Sequence, residues 1–449
     1  MKNKFNNISV NTLIPLIVVM DMLAVSLVVP LLHQYFLLSG ITSARQRELL
    51  SSVYASSQIL GGLVLGMLSD YGVLTRKNSL LLSFVGCIVS YGIIAKGDML
   101  FWLLVCSRII VGFVKQTITV STAILTLHAK KDANMKLTVT VGRIKASTTI
   151  AWIVGPSLGA FLFKHVHMSA PPLLACVIFT FLFIFGLAYL PTEEPDDDVT
   201  VTSEKKTLKK CISNIYNNFK STMSSFQSGN IELVCVIASQ LLFTLMQLVT
   251  SYSSMTSYYE ERYGIEPHIR GYLSSYRSSL GFTIQTFAIQ PLLHRCGGER
   301  NAAFLAAIAM SSVSFLETKV PFNIYLFILC PLFMASTNLL EISVKSLVTQ
   351  VAPASSISSV LATLDVLTNI VKVTVPFYRA TLFVSMAKVC GADENCAMAG
   401  DPDPFFWNIS SGLHWLFTAG LLYFLLIANN NVCMKKSHNG DSLSDKKHK

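Results

Sequence analysis

Apolar residues in this chain gather into long runs, and polar positions interrupt those runs at intervals of three and four rather than two. The runs lie near 12–36, 48–69, 78–97, 99–128, 137–164, 171–190, 231–259, 268–293, 300–317, 321–350, 357–387 and 404–428. A hydrocarbon core needs about 20 apolar residues per crossing helix, and a three-four spacing is helical. The pattern therefore predicts an all-α membrane protein with twelve transmembrane helices. The first run is too long for the apolar core of a cleavable signal, and no small-x-small site follows it, so it is expected to be a membrane helix.

Connections between the runs are short, with one exception. Residues 191–230 carry an acidic group (Glu193, Glu194, Asp196, Asp197, Asp198) and then a basic one (Lys205, Lys206, Lys209, Lys210). The expected organisation is a six-helix bundle over 1–190, a linker over 191–230, a second six-helix bundle over 231–428 and a tail over 429–449. Within the linker, Leu208, Ile212, Ile215, Phe219 and Met223 fall at helical spacing among polar residues. This reads as an amphipathic helix on the membrane surface, or as a linker with chance periodicity.

The two bundles echo each other. Gly40-Ile41 precedes Ser51, Ser52 and Tyr54, as Gly264-Ile265 precedes Ser274, Ser275 and Tyr276; Arg76 answers Arg300, and Pro156 answers Pro376. One common offset for several pairs indicates a duplicated six-helix unit, so the bundles are expected to be pseudo-symmetric.

Composition agrees with a lipid-facing surface. Hydrophobic residues make up 52% of the chain and charged residues only 13%, about half the charged share of a soluble domain. With both termini in the cytoplasm, cytoplasmic segments hold 21 Lys and Arg residues and the opposite side holds eight; this is the bias that sets membrane orientation. The formal net charge of +10 then serves topology and anionic lipid contact rather than nucleic acid. The ten cysteines are scattered without metal-type spacing, and only Cys390 and Cys396 share a polar loop, bonded or free. No phosphate-cradling loop and no paired nucleophile and base appear, so neither ATP-driven transport nor an enzyme is expected, and no cofactor or metal.

Charged side chains inside a bilayer are costly and usually functional. Asp21, Arg108, Lys115, Arg277, Glu341, Lys345, Asp365, Lys372 and Arg379 all fall within the runs. At 1.5 Å per residue, Asp21 and Arg108 each lie roughly 14 Å from their helix starts, which suggests a midplane ion pair. Polar stripes run along three helices: Arg108, Gly112, Lys115, Thr119 and Thr122; Gln240, Thr244, Gln247, Ser251 and Ser254; Asp365, Asn369, Lys372, Pro376 and Arg379. Tyr54 and Gln58 complete the expected cavity lining. Duller readings stand beside these. Glu341 and Lys345 are four apart and can neutralise each other, Lys115 and Arg379 can snorkel to an interface, and Asp365 with Lys372 can be a structural pair.

The chain resembles the major facilitator superfamily. After the second helix, Gly66-Met67-Leu68-Ser69-Asp70 followed by Arg76-Lys77 is similar to that superfamily's loop signature, with Tyr71 in place of the usual arginine and Gly72 one position early. The resemblance implies a conformational gate at Gly66, Asp70, Arg76 and Lys77. Arg108 with Gly112 resembles the arginine motif tied to proton coupling, and Gly155-Pro156-Ser157-Leu158-Gly159 resembles the antiporter motif. Asp21 and Pro30 resemble the drug:proton antiporter and tetracycline-efflux branch. At finer grain, residues 108–115 and 260–264 resemble the animal major facilitator superfamily domain-containing protein 9 group.

The resemblance implies a monomeric carrier of a small-molecule substrate that works by alternating access about a midplane site. A proton is the expected coupling ion, taken up at Asp21 with Asp365 or Glu341, and antiport is the expected mode. A non-transporting receptor or scaffold on the same fold is the competing reading, since fold does not fix function. The lysines at 446 and 447 resemble a dilysine endoplasmic reticulum retrieval signal, or form an ordinary solvated tail; plasma membrane and endomembrane both remain open.

Overall fold

The computed structural model describes residues 10–41, 44–70, 74–96, 101–131, 137–190, 231–250, 258–352, 357–386 and 403–428. The linker helix, Cys390, Cys396 and the C-terminal lysines lie outside the described residues. Among those described there is no strand. The helices are α1 (10–38), α2 (Ala44–Asp70), α3 (Arg76–Ala95), α4 (101–131), α5 (Leu137–His165), α6 (Ala170–Tyr189), α7 (Ile231–Val249), α8 (269–296), α9 (Glu299–Glu317), α10 (322–351), α11 (Ile357–Ser385) and α12 (404–428), with a short helix Tyr258–Tyr263 before α8. They follow the apolar runs closely.

Nine of them are, among the described residues, long and apolar enough to cross a membrane. Arg270 and Arg277 in α8, and Lys372 and Arg379 in α11, lower the apolarity of two of the others. The helix starts have local causes. Thr75 accepts a hydrogen bond from the Asn78 amide at 3.2 Å, and Asp403 accepts one from the Phe405 amide at 2.8 Å. Side-chain oxygens there satisfy amides that have no partner within the helix.

Gly40 and Gly264 both have positive φ, 78° and 64°. They are the paired glycines of the duplicated unit, and each turns the chain just ahead of corresponding helices. A side chain at either would be strained. A second internal correspondence follows α2 and α8. Lys77 donates to the Leu187 and Leu190 carbonyls at 3.1 and 2.8 Å, and Arg300 donates to the Leu426 carbonyl at 2.9 Å. Each basic residue thus satisfies carbonyls at the end of its own half's last helix.

The chain divides into two compact units. The first comprises Met1–Glu204, Ser253–Ser279 and Ala380–Asp401; the second comprises Lys205–Tyr252, Leu280–Arg379 and Pro402–Lys449. The first unit's core is built on Leu27, Phe84, Leu104 and Phe179, with Tyr91 stacked on Phe179 at 5.6 Å. In the second, Ala302, Ala303, Ala306 and Ala307 let α9 approach its neighbours closely around Met310, Leu340 and Trp415. Small residues at such seams are the membrane-protein means of close packing.

Candidate functional site

The first unit buries its charges. Asp21 on α1 is fully enclosed (0% exposed) and forms an ion pair with Lys115. The Thr117 hydroxyl donates to the same carboxylate oxygen at 3.2 Å, and the other oxygen, Oδ2, has no hydrogen-bond partner among the described residues. The Lys115 ammonium also lies 4.9 Å from the centre of the Phe179 ring, a cation–π contact that partly replaces lost hydration.

Lys115 owes its position to a break in α4. Regular helix runs over Phe101–Val114 and resumes over Thr117–Lys131. Between them the Gln116 amide turns back to the Val114 carbonyl at 2.8 Å, and the Gln116 side chain donates to the Gln58 carbonyl at 3.0 Å. The interruption brings Lys115 and Thr117 to one carboxylate.

Arg108 stands apart. It is 6% exposed, and its Nε and Nη2 have no hydrogen-bond partner among the described residues. Tyr54, Tyr91 and Cys87 lie within its electrostatic reach. One turn on, a Cβ at Gly112 would meet the Tyr54 carbonyl at 2.8 Å and the Ser57 Cβ at 2.9 Å, so α4 runs tightly along α2. Arg108 and Lys115 are seven residues apart, two helical turns or about 10 Å. This corrects the expected pairing: Asp21 meets Lys115, not Arg108. It also corrects Lys115 itself, which is sealed inside the unit instead of snorkelling outward.

The antiporter-like segment packs on two sides. Gly155 and Gly159 face Ser26 and Leu27 of α1, where any Cβ would overlap, and Ser26 donates to the Ala151 carbonyl at 2.9 Å. The glycines thus press α5 onto the helix that carries Asp21. On its other side, a Cβ at Gly271 of α8 would meet the Pro156 carbonyl at 2.5 Å, and the Ser157 amide donates to the Ser275 hydroxyl at 3.0 Å.

The remaining residues scatter. Arg277 donates to the Tyr259 hydroxyl at 3.2 Å. Tyr54 is half-buried and the Gln58 side chain is exposed. Gly66 has open space around it; Arg76 opens α3, and Lys77 caps α6 as described. Asp70 closes α2, but its side chain lies outside the described residues, as does that of Asp365 in α11.

In the second unit Gln247 is half-buried. Glu341 pairs with Lys345 one turn away, with 30% and 56% of their side chains exposed, which matches the local-neutralisation reading. Lys372 is exposed and reaches the Asn369 carboxamide at 3.3 Å. Arg379 is 6% exposed and donates to the Leu248 carbonyl near the end of α7 at 3.0 Å.

Two groupings escaped the sequence reading. In the first unit, Arg270 pairs with Glu260, Gln34 reaches the same carboxylate at 3.4 Å, and His33, Arg47 and Glu48 are buried. They sit at segment ends, where charges read as topology signals. In the second, Gln285 donates to Asn338 at 2.6 Å; both are uncharged and carry no signal in a charge-based search.

Fold and site together define a multi-pass, all-α membrane protein with ionised groups enclosed in one of its helical units. A model of the Major Facilitator Superfamily matches residues 15–376, and the chain belongs to that superfamily. It is 30% identical over 153 residues to major facilitator superfamily domain-containing protein 10 of Bos taurus, and 29% identical over 153 residues to that of Mus musculus. Each alignment covers 34% of this chain, and the chain spans about a third (32%) of the length of these relatives.

The structure is similar to that of the nucleoside transporter NupG (TM-score 0.67, 13% identity, 94% of this chain and 100% of that one). It is also similar to the human organic anion transporter MFSD10 (TM-score 0.60, 18% identity, 92% and 98%). At those identities the likeness concerns the fold, which is the major facilitator fold.

Proposed function

We propose that the protein is a secondary active transporter of a small organic anion, coupled to protons at the Asp21–Lys115 pair. One observation carries the coupling: a fully buried carboxylate with one oxygen held by a lysine and the other unbonded. Such a carboxylate has two states that differ by one charge: the ion pair is neutral overall, and after proton uptake the carboxyl is neutral and the pair carries the ammonium's charge alone. It stays ionised against Lys115, or it takes a proton and frees the ammonium, so proton uptake changes what binds α1 to α4. A second observation favours an anionic solute. Arg108 is a buried cation with two donors unpartnered among the described residues, and the Asp21 carboxylate belongs to Lys115. A carboxylate or phosphate on the solute satisfies those donors in a bidentate way. The fold neighbours, a nucleoside transporter and an organic anion transporter, are in keeping with solute carriage, and the second with the charge.

The resemblance of Gly155-Pro156-Ser157-Leu158-Gly159 to the antiporter motif, and of Asp21 and Pro30 to the drug:proton antiporter branch, supports exchange as the mode. Alternating access then carries the solute across the membrane, with the protein acting as a monomer. The receptor or scaffold reading draws only on the departures at Tyr71 and Gly72 from the loop signature.

Purified protein reconstituted into vesicles, offered a panel of organic anions with and without an imposed pH gradient, tests the proposal. Gradient-driven anion flux is expected. Flux that ignores the gradient removes the proton, and no flux across the panel removes the carrier.

A further inference from the structure

Lys164, the penultimate residue of α5, meets the loop that leads into α8 at a three-membered cluster. The Lys164 ammonium lies 3.0 Å from His268 Nε2, and His268 Nδ1 lies 3.1 Å from the Glu266 carboxylate. Lys164 and Glu266 are 3.7 Å apart. An ammonium only donates, and a carboxylate only accepts. The contacts fit a neutral imidazole whose Nε2 lone pair faces Lys164 and whose Nδ1 faces Glu266.

The cluster closes a longer seam. Below it, Gly271 lies against Pro156 and Ala160, and Ser275 accepts from the Ser157 amide. The start of α8 is thus fastened along the end of α5 by backbone-close packing, with His268 as its outermost tie. Besides Lys164 and Glu266, the groups facing the imidazole are His165 of α5 and the Tyr272 ring of α8 at 6.1 Å; all belong to the first compact unit.

We propose that Lys164, Glu266 and His268 form a latch between α5 and α8 that holds at neutral pH and releases in acid. Protonation of His268 replaces the Nε2 lone pair with a donor. The bond from Lys164 is lost and two cations are set against each other, while only the contact to exposed Glu266 survives. The direction follows from linkage. Burial, with Lys164 and His165 beside it, holds the imidazole below the ordinary histidine value. A base harder to protonate when latched stabilises the latched form above the released group's pKa, about 6.5. That contribution is lost as pH falls through the lower latched value. This device goes beyond the transport proposal and stands independently of it.

Amide hydrogen exchange on the full chain in lipid nanodiscs reads the latch directly. After correction for intrinsic rates, peptides spanning 264–276 should exchange at least about threefold faster at pH 5.5 than at pH 7.5. Peptides within α3 should not change and report intact folding. His268→Gln, whose carboxamide can both accept and donate but does not titrate, should abolish the pH response and keep the slower exchange. His268→Lys should exchange fast at both pH values. A His268→Gln protein that keeps the wild-type response, a wild type with none, or a His268→Lys protein protected at both pH values overturns the proposal.

Discussion

In the first unit Asp21 and Lys115 face each other with water excluded, and Arg108 sits a further two turns along α4 with donors unspent. In the second, Glu341 and Lys345 neutralise each other within one helix with their side chains partly exposed, and Arg379 donates to a carbonyl near the end of α7. Both sets of charges lie in helices of membrane length. The difference lies in what each charge does for its surroundings. An exposed i,i+4 pair is nearly self-sufficient. A buried pair depends on its partner, because either charge alone in a low-dielectric interior is heavily penalised. Position inside a membrane helix therefore marks a charge as unusual, and its partner decides whether it is functional.

The sharpest way to break this comparison is to remove one member of the buried pair. Asp21→Asn leaves the Lys115 ammonium enclosed without a counter-charge, and the expected loss of stability is about 3–5 kcal/mol. Thermal unfolding in detergent measures it. The joint change Asp21→Asn with Lys115→Met should recover most of that loss while leaving gradient-driven flux absent. If the single variant is as stable as the double, the two groups are not a coupled pair and the contrast between the units collapses.

Arg108 gives a prediction of opposite sign. A buried guanidinium with unpartnered donors destabilises the protein that carries it, so Arg108→Met should raise stability by about 1–3 kcal/mol. Anion transport should fall at the same time, since methionine offers the solute nothing. Gain of stability with loss of function is the mark of a strained binding group. A variant that loses both would show that Arg108 holds the bundle together and binds nothing.

The sequence resolved more of the fold than of the site, for a physical reason. Apolar run length and the three-four spacing determine membrane helices almost alone, which is why α1 to α12 fall where the runs are. Gly40 and Gly264 stood out in the sequence as a repeated pair, and the structure shows what they repeat: a turn at positive φ, which glycine tolerates cheaply. Which charges meet was not legible. The pairing of Asp21 with Arg108 assumed an unbroken α4, and nothing at Lys115-Gln116 signals a break; neither residue is proline or glycine. Lys115 did lie on the stripe with Arg108, so the face was right and the contact wrong. Depth along a helix can be counted from sequence, whereas the neighbour at that depth depends on rotation and packing.

The mildest test falls on the second unit. Glu341 and Lys345 lie on one face of α10, and with 30% and 56% of their side chains exposed, screening and side-chain entropy take back most of their attraction. Helical pairs of this kind contribute about 0.3–0.5 kcal/mol. Glu341→Gln should cost no more than that in thermal unfolding, because the Lys345 side chain is 56% exposed where that of Lys115 is sealed. It should also leave the pH dependence of flux intact if the proton is carried at Asp21 alone. An altered pH dependence with unchanged stability would enlist Glu341 in coupling, and the proton path would then include both halves of the molecule.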